Sequence, residues 1–202
     1  MHRFFLRETT RDLHHDLDVL ISRLDLADDG DYAAFLRIHA AALLPLEAAL
    51  EASGIEGSFP AWPRHRRSHA LIADLRACDI EEGTGAALPA ICGTGQRMGV
   101  LYVLEGSRLG GRLLERRARA QGARNAFLTH GAGQPLWQDF LRHLESLPDD
   151  SATRRNLANG ASMAFEQYMT ATAEILAVMQ RGGIEPVGPV ENANRIVAEN
   201  RS

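Results

Sequence analysis

The sequence predicts an all-α fold in a single domain. Its 202 residues are 45% hydrophobic but only 6% aromatic, and Ala, Leu, Arg and Glu are abundant, a composition that favours helices. The length suits one domain with a sizeable core. Apolar residues near the N-terminus also recur at helical spacing, at positions Leu6, Leu13, Leu17, Leu20 and Leu24. The first helix is therefore predicted to be amphipathic.

Six helices follow from the periodicity and its interruptions. Their predicted ranges are 4–27, 31–52, 64–78, 88–122, 135–147 and 151–180. The segment 28–30 ends the first helix, Asp31 is predicted to cap the second, and Ser53-Gly54 ends the second. Pro45 predicts a kink or local break within the second helix.

Turn-forming segments separate the later helices. They are the turn at 57–63, the loop at 82–85, the glycine-rich break at 92–95 within the fourth helix, and the segment 148–151. Gly182-Gly183 ends the packed part of the chain. We expect one helical domain over 1–182 and a polar C-terminal tail over 183–202.

Charge and composition exclude several classes of function. A net charge of −4 and a pI near 6.1 argue against general nucleic-acid binding. Cys78 and Cys92 form no recognisable redox or zinc motif. Arg and Asp occur throughout the first thirty residues, and the apolar runs are short. We therefore expect no signal peptide, no membrane partner and a cytoplasmic location.

A histidine lies at the edge of the apolar stripe of the first helix. Asp18 follows His14 by one turn and can hold the second imidazole nitrogen, while Arg7 precedes it by two turns on the same face. A neutral histidine backed by a carboxylate and flanked by a cation suits an axial ligand of heme, whose propionates need a positive partner. From periodicity alone, a structural histidine is the commoner interpretation.

The fourth helix carries glycines inside a helical pattern. Gly106 and Gly110 are four residues apart and share a face, with Gly111 beside them. Each glycine costs roughly 0.5–1 kcal/mol relative to alanine in a helix. Such a bare face admits either another helix or a flat cofactor against the backbone.

Together the two motifs resemble those of the heme (haem) oxygenases, in particular their bacterial branch, which includes members that supply biliverdin to phytochromes. The first pattern is matched by Leu6, Arg7, Thr10, Leu13, His14 and Asp18, and the second by Tyr102, Glu105, Gly106, Ser107, Leu109, Gly110 and Gly111. The resemblance covers roughly residues 4–180. It implies a multi-helical fold with heme between a proximal and a kinked distal helix.

The resemblance also implies an activity and its site. The activity is cleavage of heme, as both substrate and cofactor, to biliverdin, CO and ferrous iron with O2 and an external electron donor. His14 is implied as the iron ligand, and His14, Gly106, Ser107 and Gly110 as the catalytic group. The heme contacts implied or suggested are Arg7, Thr10, Leu17, Asp18, Tyr102, Gly106, Ser107, Gly110, Gly111, Phe165 and Tyr168.

Other interpretations stay open at this stage. A heme carrier or sensor of the same fold would be supported if Arg108 points into the pocket, although we expect it to face solvent or a propionate. A di-iron oxidase is disfavoured because no Glu precedes a His by three residues. The glycines could simply serve close helix packing.

The expected partners follow from the same interpretation. They are heme, a ferredoxin or reductase as electron donor, and a biliverdin-accepting phytochrome. The basic run 64–69 predicts a solvated face on which His65 and His69 do not bind a metal, and Arg66 and Arg67 are the candidate contacts for an acidic donor.

Overall fold

The computed structural model describes residues 1–81, 88, 90–118 and 126–182, and of 110–118 it describes the backbone. Within these ranges it contains ten helices and no strand, which confirms the all-α prediction. They are α1 (His2–Thr9), α2 (Arg11–Ile21), α3 (Asp29–Ala52), α4 (Ile55–Ser58), α5 (Trp62–His65), α6 (Ser68–Ala77), α7 (Gly93–Ala118), α8 (Ala126–Thr129), α9 (Leu136–Glu145) and α10 (Ser151–Arg181).

The predicted first helix is two helices. Thr10 leaves the helical conformation, with φ −105° and ψ 11°, and its hydroxyl donates to the carbonyl of Leu6 at 2.8 Å. Local hydrogen bonding of this kind competes with the helix and separates α1 from α2. The predicted end at residue 27 was also wrong. The helix ends at Ile21, and Leu24 and Leu26 enter the core from an irregular segment.

Helix α3 begins earlier than predicted and continues through its proline. The cap is Asp28 and not Asp31, because the Asp28 carboxylate accepts the backbone N–H of Asp31 at 3.0 Å. The predicted local break at Pro45 is absent. Proline lacks the N–H that would bond the carbonyl of Ala41, and the side-chain amide of Gln167 donates to that carbonyl instead, at 3.0 Å.

The central position of α3 explains its apolar composition. By length and hydropathy this helix could cross a membrane, yet 61% of its most apolar stretch is buried inside the bundle. It packs against α6 and α10. Its buried side chains belong to a core that extends over most of the helices. These are features of a core helix in a globular domain.

The predicted third helix is also divided. It consists of α5 and α6, separated at Arg66 and Arg67. The carboxylate of Glu47 accepts the backbone N–H groups of Arg67 and Ser68 at 2.8 and 2.9 Å. These bonds satisfy donors that the first turn of α6 leaves open, so a side chain of α3 fixes where α6 begins.

The remaining boundaries agree more closely. The glycine-bearing helix α7 begins at Gly93, so the predicted break at 92–95 is its start. Helices α9 and α10 lie within two residues of prediction, and α4 and α8 are short additions. The loop at 82–85, residues 119–122 and the tail over 183–202 lie outside the described residues.

Helix α10 organises the bundle by packing against α1, α2, α3 and α7. Its contact with α7 is the most extensive one and involves close backbone approach. A methyl group on Gly99 would lie 2.8 Å from the amide nitrogen of Ala161, and one on Gly160 would lie 2.8 Å from the carbonyl carbon of Gln96. Only glycine permits this spacing at both positions.

Candidate functional site

The His14 imidazole is oriented by Asp18 on α2. Its Nδ1 atom lies 2.9 Å from Oδ2 of Asp18, and the two side chains are 50% and 23% exposed. The hydrogen bond to Asp18 raises the pKa of His14, against burial, which lowers it. When Nδ1 carries the proton that Asp18 accepts, the lone pair of Nε2 is available to a ligand.

Helix α10 lies directly beside His14. The ring of Phe165 meets the imidazole edge to face, with centroids 6.0 Å apart, and Phe165 itself is buried. Leu17, one turn after His14, is half-buried and packs against the core. Thr10 is buried and holds the bend between α1 and α2 through Leu6.

The glycines of α7 have two different environments. Gly95 and Gly99 face α10 at close range. Gly106 lies two turns beyond Gly99, and a methyl group there would meet no heavy atom of the described residues within 4 Å, its own helix turn aside. Gly110 and Gly111 belong to α7, but what surrounds them lies outside the described part. The structure therefore assigns packing to one part of the glycine pattern and open space to Gly106.

Ser107 connects α7 to two buried groups. Its hydroxyl donates to the Leu104 carbonyl at 2.8 Å and accepts from the Arg67 guanidinium at 2.6 Å. Arg67 also donates to Leu104 at 2.8 Å and lies over the ring of Phe127. Arg67, predicted to lie on a solvated face, is in fact 3% exposed and lies beside the candidate distal residue Ser107.

Tyr168 completes this side of α10. Burial raises the pKa of Tyr168 to about 12, while the charge of Arg67 and a hydrogen bond with Ser107 lower it. The hydroxyl also lies 3.3 Å from Nδ1 of His39, whose pKa burial and the charge of Arg67 lower to about 3. His39 is therefore neutral at physiological pH. It was missed in the sequence because helical spacing made it one more core position of α3.

We define the candidate cleft as the region bordered by His14 on α2, Gly106 on α7 and residues 165–168 on α10. Phe165 contacts His14, and Tyr168 interacts with Ser107 beside Gly106. The structure thus brings both predicted motifs to the same stretch of α10. Phe165 and Tyr168, predicted as weaker members of the site, are the residues that connect them.

A second cluster combines arginine and aromatic side chains near α1. Burial raises the pKa of Tyr102, while the charges of Arg3 and Arg7 lower it, which places both guanidinium groups near the phenol. Arg7 is exposed. The Tyr102 ring lies 5.9 Å from that of Trp137, over which Arg3 is positioned. Two cations and a phenol at one edge of the bundle can bind carboxylates.

Arg108 points into the protein, which corrects the expectation that it faces solvent or a propionate. It is 4% exposed and forms a bidentate pair with Glu105, with N–O distances of 2.9 and 3.2 Å. It also donates to the carbonyls of His65 and His130 at 2.7 and 3.0 Å. Helical spacing could not show this, since two of its partners, His65 and His130, come from distant segments.

The predicted solvated basic face is wrong for His65 and Arg67, while Arg64, Arg66 and His69 are exposed. His65 is completely buried, with Nδ1 3.1 Å from Glu105. Of the remaining arginines, Arg66 pairs with Glu51 and Arg64 with Asp139. Within the described residues, no group of three or more His, Cys, Asp or Glu side chains could hold a metal ion.

Comparison with known proteins identifies relatives of the chain, although no family model matches it. It is 32% identical over 152 residues to a heme oxygenase of Xanthomonas campestris, covering 72% of this chain and 91% of that protein. It is 27% identical over 168 residues to the heme oxygenase PigA of Pseudomonas aeruginosa, covering 79% and 85%.

The fold has a solved counterpart. A heme oxygenase from Neisseria meningitidis, crystallised with NO and CO, superposes with a TM-score of 0.72 at 22% identity, covering 84% of this chain and 89% of that one. Its likeness supports the same all-helical fold. With the Xanthomonas relative matched at 32% identity over nine-tenths of its length, the chain belongs to the bacterial heme oxygenase family.

Proposed function

We propose that this protein binds heme in the candidate cleft and, with O2 and electrons from an external ferredoxin or reductase, cleaves it to biliverdin, CO and ferrous iron. Family membership supports the reaction class.

The proximal role falls to His14. The observation that carries the proposal is a half-exposed imidazole whose Nδ1 is held by Asp18 and whose ring rests on Phe165. Such an arrangement sets the tautomer and orientation of an iron ligand and leaves Nε2 to bind the metal. His15, its neighbour, is exposed without a comparable partner in the described part.

The distal role falls to α7. Space beside Gly106 allows a flat group to approach the helix backbone. Gly110 and Gly111 are proposed to extend this face. Ser107, held by Arg67, presents a fixed hydroxyl that can order water beside the bound substrate. When bound, heme supplies the iron at which O2 is activated, and the protein supplies position and shielding.

Arg7 and Tyr102 are proposed to bind the heme propionates. Arg3, which the sequence did not suggest, is proposed as a third contact. Arg7 is exposed and available to a carboxylate, and the charges of both arginines act on the Tyr102 phenol. Arginine pairs carboxylates in a bidentate geometry. These contacts would set how heme is rotated in the cleft and hence which ring carbon is cleaved.

Arg108 does not support the alternative of a carrier or sensor. That alternative depended on a cation projecting into the pocket, whereas Arg108 is engaged with Glu105, His65 and His130. A biliverdin-accepting phytochrome and a cytoplasmic location stay predictions.

The test is a hemin titration followed by reduction in air. Wild type and the variants His14→Ala and His15→Ala are each loaded with one equivalent of hemin, then given ascorbate or a ferredoxin system. We expect loss of the Soret band and growth of a red biliverdin band in wild type and His15→Ala, and failure of ring opening in His14→Ala. A stable wild-type complex that never opens its ring would contradict the proposal.

A further inference from the structure

Helices α7 and α10 meet at close range near their N-terminal ends. Gly95 lies near Thr153 and Asn156, and Gly99 near Leu157 and Ala161, so the helices run in the same direction. At Gly99 the backbones touch. Two turns further along, α7 carries Gly106 and α10 carries Phe165 and Tyr168, the residues that border the candidate cleft.

The contact is formed by backbone atoms on both sides. A methyl group on Gly99 would clash with the Leu157 carbonyl oxygen and lie 2.8 Å from the nitrogen of Ala161. One on Gly160 would clash with the Gln96 carbonyl oxygen and lie 2.9 Å from its Cα. Ordinary contact between such atoms begins near 3.5 Å. Because no flexible side chain can yield, an added methyl must move one helix relative to the other.

Helix α10 also carries the proximal side. Phe165, five residues beyond Gly160, contacts His14, and Tyr168 interacts with Ser107 three residues further on. A displacement of α7 at the glycine contact therefore changes the distance between Gly106 and the surface on which His14 rests.

We propose that Gly99 and Gly160 are positioning residues that set the width of the candidate cleft, and through it the placement of heme against the distal helix. This inference rests on the proposed function. Neither glycine borders the cleft, and both act by setting how closely α7 lies against α10. When a substrate is misplaced by about 1 Å, the reaction rate can fall about 100-fold. A small shift of α7 at this contact is therefore expected to have a measurable effect.

The variants form a graded series. Gly99→Ala and Gly160→Ala press on the interface from opposite sides. Gly95→Ala is milder, because its only neighbour inside 3.0 Å is the Cβ of Asn156 at 2.7 Å. Gly57→Ala is the matched control, since a methyl there meets no described atom within 4 Å. If the two severe variants fail to fold, Gly95→Ala still tests the proposal.

Three readouts are taken on each folded variant: hemin affinity from the Soret titration, the stretching frequency of CO on the ferrous complex, and the biliverdin isomer composition by chromatography. We expect Gly99→Ala and Gly160→Ala to shift the CO frequency and isomer composition in the same direction. In these two variants hemin affinity should fall at least about tenfold. The fall should be smaller in Gly95→Ala, and Gly57→Ala should bind hemin as wild type does.

The outcomes separate the inference from the function. Folded interface variants whose CO frequency, isomer composition and affinity match wild type would overturn the positioning role while leaving the reaction intact. A wild-type protein that opens no heme ring would contradict the proposed function itself. In that case an unchanged hemin affinity across the series would also reject the positioning role.

Discussion

Gln167 supplies Ala41 with the hydrogen bond that Pro45 removes. The amide of Gln167 on α10 donates to the Ala41 carbonyl on α3 at 3.0 Å, in a part-buried position. A carbonyl left unpaired in such a position costs about 1–3 kcal/mol. The pair therefore keeps α3 continuous and also joins it to α10, the longest described helix.

Replacing this amide should destabilise the protein. We expect Gln167→Met to lower the free energy of unfolding by about 1–3 kcal/mol, because the Ala41 carbonyl loses its donor. In a Pro45→Ala background the helix supplies its own N–H, so the same change should cost less than about 1 kcal/mol. Urea unfolding of the four proteins measures the coupling, and equal costs in both backgrounds would contradict the assignment.

Arg108 should be among the most sensitive positions of α7. Truncation to Met leaves the Glu105 carboxylate buried and without its guanidinium, which costs about 3–5 kcal/mol. The double variant Glu105→Met/Arg108→Met should recover part of that loss. Denaturant midpoints give the comparison. A double variant as unstable as the sum of the single ones would show that the two side chains act independently.

The same pair predicts acid sensitivity. Burial would raise the pKa of Glu105, but hydrogen bonds from His65 and Arg108 hold it at about 2, below its usual 4.5. A carboxyl with a lowered pKa contributes stability above its unfolded pKa, and the contribution is lost as pH falls through the folded value. The stability difference between wild type and Glu105→Gln should therefore be constant above about pH 4.5 and shrink toward pH 2. Unfolding curves across this range check it; a constant difference would reject it.

Asp18 should control the protonation of His14. Its hydrogen bond raises the pKa of the imidazole, against burial, so Asp18→Asn should lower the His14 pKa in the heme-free protein. Because a proton on Nε2 competes with iron, heme binding should improve as pH rises through that pKa. Loss of such a carboxylate partner typically costs about 10–100-fold in metal affinity.

Ring-proton NMR titration of the imidazoles measures the first effect of Asp18→Asn, and hemin titration at several pH values measures the second. His15 provides an internal reference within the same spectra. An unchanged His14 pKa in Asp18→Asn would contradict the assigned hydrogen bond.

Replacing Gly106 by alanine should raise the stability of the protein and lower its affinity for hemin. Gly106→Ala meets no described neighbour, so it should stabilise α7 by about 0.5–1 kcal/mol. The methyl group would occupy space proposed for the heme plane, and we expect hemin affinity to fall about tenfold, or about 1.4 kcal/mol. Thermal unfolding and a hemin titration on the same sample decide the matter. A variant that binds hemin as well as wild type would remove Gly106 from the site.

Much of the fold could be predicted because a long helix repeats its apolar spacing over several turns. The apolar period and the Asp, Gly and Pro interruptions placed α3, α9 and α10 within two residues or so. The division at Thr10 could not be predicted, because it depends on one hydroxyl turning back to Leu6. The continuity of α3 through Pro45 depends on Gln167, which lies 126 residues further along the chain.

The candidate site was predictable where spacing within one helix defines the geometry. His14 and Asp18, four apart, are paired as their spacing suggests. The charge pattern gave the wrong result for Arg67, and the angular position on the helix gave the wrong result for Arg108, because the burial of each cation depends on acceptors from other segments. Those acceptors are Ser107 and Leu104 for Arg67, and His65 and His130 for Arg108.

The contrast within α7 between the close packing at Gly95 and Gly99 and the open space at Gly106 has a practical consequence for engineering. Substitutions before Val103 fall on a surface that the rest of the fold depends on, so a library there would mostly return unfolded protein. Substitutions at Gly106 and its neighbours on that face meet less of the core. If the proposed site is right, we expect substitutions at Gly106 to alter the selectivity of ring cleavage while the packed end of α7 preserves the architecture.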